Sequence, residues 1–131
     1  SYLKNMANLM DVSLEIIRKD IFHLLPEYHD SFDYVLEQTC FCAIHPSRRK
    51  EYENIVKGIL KIGGHLLGLW FPLDKDIAEG GPPYGTSIEE VKSTFHSGWK
   101  IIKEEFSDHS IKPRKGREKL VVFKKIGSGN E

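Results

Sequence analysis

The chain is short of cysteine. It has two among 131 residues, Cys40 and Cys42. They are too few and too close for a secreted disulfide framework, and a reducing cytoplasm is the expected compartment. Long apolar runs are also lacking. The longest, Leu66 to Leu73, contains a Gly and a Pro and is far below the ~18 residues that span a bilayer, so no membrane partner is expected. Neither sign of charge is in excess, since Lys+Arg and Asp+Glu both number 19. That removes the electrostatic reason to expect nucleic acid or an anionic membrane. No secretory signal opens the chain, and Ser1-Tyr2-Leu3-Lys4 reads as a cut rather than a start. There is no internal repeat. No G-x-G-x-x-G occurs, which disfavours a nicotinamide-dependent enzyme. Cys40, Cys42 and His45 would make only an incomplete metal site without a second Cys/His pair at zinc spacing, so no metal is expected. No Ser-His-Asp or Cys-His arrangement stands out, and no catalytic side chain is assigned.

What is present suits one domain over residues 1–126 with a flexible tail at 127–131, at 40% hydrophobic and 29% charged residues. Ser1 to Met10 has helical spacing, like the end of a longer helix. Val12 to Lys19 and Phe32 to Glu37 are strand-like. Pro46 to Ile62 is the clearest helix. Tyr52, Ile55, Val56, Ile59 and Leu60 fall on one face, and Arg48, Arg49, Glu53, Asn54, Lys57 and Lys61 on the other. Glu53 and Lys57 form an i,i+4 pair, and Gly63-Gly64 is the expected stop. His65 to Phe71 is a nearly unbroken apolar strand, as in the middle of an α/β sheet. Asp74 to Gly85 is a loop. Ser87 to Glu90 is a capping box opening a helix to about His96. Trp99 to Phe106 and Glu118 to Ile126 are strands joined by a basic loop, Ser107 to Arg117. Trp70, Trp99 and the Tyr52 to Leu60 stripe are expected in the core.

Strand–helix–strand alternation predicts an α/β fold with a mostly parallel sheet. The closing strands have no helix between them, which predicts an antiparallel last strand. Ligands in open α/β sheets bind beyond the carboxyl ends of the parallel strands. This selects Asp20 to Phe22, Glu37 to His45, Phe71 to Tyr84, and Ser107 to Arg117.

These segments carry a resemblance. Phe32 to Gln38 running into Thr39 to Pro46 resembles the fourth strand and following loop of thiopurine S-methyltransferase-like enzymes. Leu60-Lys61-Ile62-Gly63-Gly64 resembles their LkpGG element. Gly80-Gly81-Pro82-Pro83-Tyr84 and Pro113-Arg114-Lys115-Gly116-Arg117-Glu118-Lys119-Leu120 resemble two motifs of the thiol and halide branch, and are the more specific pair. The resemblance covers roughly Asp11 to Ile126. It implies a class I, Rossmann-like methyltransferase sheet, S-adenosylmethionine as cofactor, and a small nucleophile (thiol, thiopurine, thiocyanate or halide) as substrate. It also implies an earlier strand–helix–strand unit, with a Gly-rich turn and a ribose-binding acid, that this sequence lacks. An open sheet edge would follow, with self-association through it as one consequence.

The resemblance further implies roles. Asp20, Ile21 and Phe22 would meet the adenine; the alternative for Asp20 is a turn cap. Glu37, Gln38, Thr39 and Phe41 would lie near the cationic sulfonium, where a carboxylate or an aromatic face is sensible; Glu37 could equally be a solvated strand end, and Phe41 core. Phe41, Pro83 and Tyr84 would wall the nucleophile, or Pro83 and Tyr84 belong to an ordinary turn. Arg114 and Arg117 would attract an anion, or belong to a solvated basic loop. Two function classes remain: a methyltransferase acting by in-line displacement, and a non-catalytic methyltransferase-fold module that pairs with another chain.

Overall fold

The computed structural model describes residues 21–106 and 116–127. The predicted helix at Ser1 to Met10, the strand at Val12 to Lys19, most of the basic loop and most of the tail lie outside them.

The described elements are β1 (Phe32–Gln38), a short α1 (Cys40–Ala43), α2 (Arg49–Ile59), β2 (Leu60–Trp70), α3 (Ile88–Thr94), β3 (Trp99–Phe106) and β4 (Lys119–Lys125). Single 3-10 turns occupy Ile21–His23, Pro46–Arg48 and Ile77–Glu79. The strands form one sheet in the order β1-β2-β4-β3. β1 and β2 are parallel, while β4 runs antiparallel to both β2 and β3. β3 therefore runs with β1 and β2. The antiparallel strand is last in sequence but interior in space, and β1 is an outer strand of the described sheet.

The core lies between this sheet and α2 and α3. Leu60, Leu66, Trp70, Val121 and Phe123 from the sheet meet Tyr52, Val56, Val91 and Phe95, with Phe41 and Trp99 at the flanks. Phe95 is the hub, with ring contacts to Phe41, Tyr52, Trp70, Trp99 and Phe123. Each such buried ring contributes roughly 1.5–3 kcal/mol by leaving water. A second cluster, Leu24 with Ile55 and Ile59, fastens the segment after Ile21 to α2.

One expectation needs correction. The helix does not run to Ile62. Leu60 is already extended (φ −81°, ψ 140°), fully buried, and paired with Phe32. The Gly pair sits inside the strand, where the register shifts between Phe32 and Tyr34, and Gly63 takes φ 88° there. Leu60 matched the helical stripe because it is apolar, but the sheet claims it.

The polar side of α2 is partly interior. Arg49, Glu53 and Lys57 are buried. Glu53 is fully enclosed, accepting from Lys50 and Lys57 (2.8 Å each) and from Trp99 Nε1–H (2.9 Å). Lys57 also donates to Ser97 O at 3.0 Å. The predicted Glu53–Lys57 pair exists, but as an interior bond. Burial pushes the Glu53 carboxyl up, and its three donors together hold it below the usual range.

Candidate functional site

β1 ends in a turn that its own side chains hold. Glu37 is 3% exposed, not a solvated strand end. Its Oε1 accepts from the Phe41 N–H and from the Tyr52 hydroxyl, both at 2.7 Å. Burial raises the Glu37 carboxyl to about 7, against those bonds. Burial and the neighbouring carboxylate hold the Tyr52 phenol well above its ordinary value, so it remains a donor. Thr39 takes φ 65°, its hydroxyl donates to Gln38 O at 2.6 Å, and the Cys42 thiol donates to Thr39 O at 3.3 Å.

The Gly-Pro loop is tied to this turn. The Tyr84 N–H donates to Cys42 O at 2.7 Å, and its ring lies edge-on to His45 at 5.5 Å. Pro83 O accepts from Lys75 Nζ at 2.7 Å. Arg49 clamps the loop from α2, with NH2 donating to Gly85 O (3.0 Å) and Tyr84 O (3.4 Å), and NH1 to Glu90 Oε1 (2.7 Å). Its guanidinium lies 4.4 Å from the Phe41 ring centroid. Arg49 Nε is buried without a hydrogen-bond partner among the described residues. The Ser87 hydroxyl caps α3 by accepting from Glu90 N–H at 3.1 Å, while the Glu90 carboxylate turns to Arg49 and Thr86.

The first turns of α2 thus gather three of the expected segments. Arg48 lies 3.5 Å over the Phe22 ring, Arg49 holds Tyr84 and Gly85, and Tyr52 holds Glu37. Ile21 packs against both core clusters. Gln38 is half-buried and Thr39 exposed. Phe41 is enclosed by Tyr52, Trp70 and Phe95, so its ring is core and its backbone forms the turn. Arg117 stands apart from this group. It donates to Asp74 at 2.7 Å, holding that carboxyl below its usual range, and sits 5.1 Å from the Phe71 ring. Asp20 and Arg114 lie outside the described residues. A cleft of about 400 Å³ between residues 73–77 and Thr86, Ser87 and Glu90 includes none of the expected contact residues, though the partners of Arg117 and Arg49 line it.

Arg49, Tyr52, Asp74 and Glu90 had no expected site role. The one available signal was spacing, since Arg49 and Tyr52 are three apart on a helix, and both reach Phe41. Among the described residues, no helix is long and apolar enough to cross a membrane.

The chain superposes on solved methyltransferases. A 1,6-didemethyltoxoflavin-N1-methyltransferase of Burkholderia thailandensis, solved with S-adenosylhomocysteine, superposes with TM-score 0.65 at 15% identity, over 95% of this chain and 56% of that one. A SAM dependent methyltransferase from Archaeoglobus fulgidus gives TM-score 0.64 at 12% identity, over 93% and 72%. The fold is that of the class I, Rossmann-like methyltransferases. Residues 1–126 match the Thiopurine S-methyltransferase family model, and the chain belongs to that family. It is 34% identical over 111 residues to Thiocyanate methyltransferase 1 of Arabidopsis thaliana, covering 84% of this chain and 47% of the relative. It is 37% identical over 97 residues to Probable thiol methyltransferase 2 of the same plant, covering 73% and 42%. The chain spans about half the length of these curated relatives or less.

Proposed function

We propose that this protein serves S-adenosylmethionine-dependent methyl transfer to a small nucleophile, of the thiol, thiopurine, thiocyanate or halide class, by in-line displacement. The observation that carries the reading is the gathering of the Ile21–His23 turn, the post-β1 turn and the Gly-Pro loop around the start of α2, in a member of this family. The names of the two plant relatives favour thiol and thiocyanate acceptors.

The donor set fits the cofactor. Residues 36–44 contain no Lys, Arg or His, and the turn offers carbonyl, carboxamide and hydroxyl oxygens, which suits a cationic sulfur. When bound, S-adenosylmethionine supplies an activated methyl group on that sulfur. Asp20, Ile21 and Phe22 would hold the adenine side, and Glu37, Gln38, Thr39 and Phe41 the turn beside the sulfonium. Pro83 and Tyr84 would form the wall that receives the nucleophile, while Phe41, whose ring is core, gives the turn only its main chain. Arg114 and Arg117 would draw an anion in. A thiolate or halide needs little or no base help. The chain's work is to align the nucleophile and exclude water. Two cysteines, too few and too close for a disulfide framework, suit a cytoplasmic setting.

The test is a methyl-transfer assay with thiocyanate, iodide, an aryl thiol and a thiopurine, beside calorimetric titration with S-adenosylhomocysteine. The expected result is product from at least one acceptor and saturable binding. Binding without turnover on all four would remove the acceptor classes, and neither binding nor turnover would remove the reading.

A further inference from the structure

We infer that Tyr52 and Glu37 form a positioning pair that fixes the turn after β1, with Glu37 acting through that turn rather than by touching a ligand. The inference rests on the function proposed above, which gives the turn its purpose.

The geometry starts from strain. Thr39 holds φ 65°, a left-handed conformation that a β-branched residue avoids and that costs of the order of 1–3 kcal/mol. Such a conformation persists only where its surroundings over-determine it. Here one buried oxygen is central, beside the Cys42 thiol's bond to Thr39 O. Glu37 Oε1 receives the Phe41 N–H from beyond the strained residue and the Tyr52 hydroxyl from α2, each at 2.7 Å. The chain from Glu37 to Phe41 is thereby closed into a ring of bonds and pinned to the helix. Tyr52 is itself enclosed, 2% exposed and packed against Phe41 and Phe95. Exposure separates the roles, since Glu37 faces inward while Thr39 is exposed and Gln38 half-buried. Oε1 accepts both bonds whether or not Oε2 carries a proton. The pair therefore needs an acceptor oxygen at this point, not a negative charge.

That last property makes the inference testable. Glu37→Gln retains the acceptor and loses the charge, Glu37→Leu loses both, and Tyr52→Phe removes one donor. Each variant of the full chain is measured two ways: affinity for S-adenosylhomocysteine by calorimetry, and hydrogen exchange of the Phe41 amide by NMR. Losing the bonds is expected to weaken binding about tenfold in Glu37→Leu and about threefold to tenfold in Tyr52→Phe. Glu37→Gln should recover most of what Glu37→Leu loses. Phe41 amide protection should follow the same order. If Glu37→Gln binds as poorly as Glu37→Leu while its Phe41 amide stays protected, the carboxylate acts by charge and the pair is overturned. Should Glu37→Leu fail to fold, unchanged affinity and unchanged Phe41 protection in Tyr52→Phe overturn it equally. If the unsubstituted chain binds no cofactor, the proposed function falls. Exchange then judges the pair alone, with protection lost in Tyr52→Phe supporting it and protection retained refuting it.

Discussion

Lys125 Nζ lies 2.7 Å from the carbonyl oxygen of Leu60, joining the last strand to the end of α2. The same ammonium donates to Lys57 O at 2.7 Å and reaches Asp30 at 3.4 Å, and its side chain is 6% exposed. A helix end leaves its last carbonyls without intrahelical partners and gathers partial negative charge there. A buried cation answers both needs. This explains how α2 ends at Ile59 without a glycine. Lys125→Met removes a buried donor from both carbonyls. It is expected to lower the unfolding free energy by about 2–4 kcal/mol, read by urea denaturation. A loss below about 0.5 kcal/mol would rank this lysine with ordinary surface charges.

Gly68 lies under Trp70 on the core face of β2, and a Cβ at Gly68 would overlap the indole. In most strand interiors, replacing Gly by Ala stabilises by roughly 0.5–1 kcal/mol. Here the sign reverses, because the indole cannot swing aside. It is 1% exposed, edge-on to Phe41 and Phe123, and tilted on Phe95. Gly68→Ala is expected to destabilise by about 1–3 kcal/mol and to alter the near-ultraviolet tryptophan signal. A raised melting temperature would show that Trp70 has room to move.

Stability should depend on pH through Glu37. Its carboxyl titrates near 4.5 when unfolded and about 7 when folded, raised chiefly by burial. Between those values the folded state binds the proton that the unfolded state has lost. Stability from this group is complete below about 4.5 and disappears as pH rises through about 7, by roughly 3 kcal/mol. His65, lowered by burial and by Lys124, acts in the opposite direction below 6.5. The measurement is therefore the difference between the protein and Glu37→Gln, in which His65 cancels. That difference should slope between pH 4.5 and 7 and flatten above. A flat difference across the window would mean that Glu37 titrates normally. Glu53, Asp74 and Glu104 are held low by their partners, so their contribution is lost only as pH falls below the usual carboxylate values.

The strands from Phe32, His65, Trp99 and Glu118, and the Ser87 cap, were legible because each depends on neighbours in sequence. Periodicity, however, counts letters and not partners. Arg49, Glu53 and Lys57 read only as the face opposite the apolar stripe, yet their partners Glu90, Trp99 and Ser97 lie about forty residues onward. Leu60 fitted a helical stripe and equally a strand, and only pairing with Phe32 decides between them. The same limit applies at the site. Glu37, Thr39 and Tyr84 stood out as motif residues. The bond from Tyr84 N–H to Cys42 O, and the hold of Tyr52 and Arg49 on both loops, exist only once the chain has closed.

Tyr84 gives the most direct test of where a nucleophile would sit. Its backbone is committed, since its N–H donates to Cys42 O and its carbonyl accepts from Arg49. Its ring is half-buried beside the exposed His45. Tyr84→Ala therefore removes the wall and keeps both main-chain ties, so the loop should stay in place and the melting temperature change little. An aromatic contact surface is worth about 1 kcal/mol or somewhat more. The apparent KM for a small thiol or thiocyanate should rise about fivefold to tenfold, with the larger part of the loss in KM rather than in kcat. That division is expected of a group that binds the acceptor equally before and during transfer. An unchanged KM would remove Tyr84 from the acceptor wall. An equal fall in kcat and kcat/KM would place its ring against the reacting atoms instead.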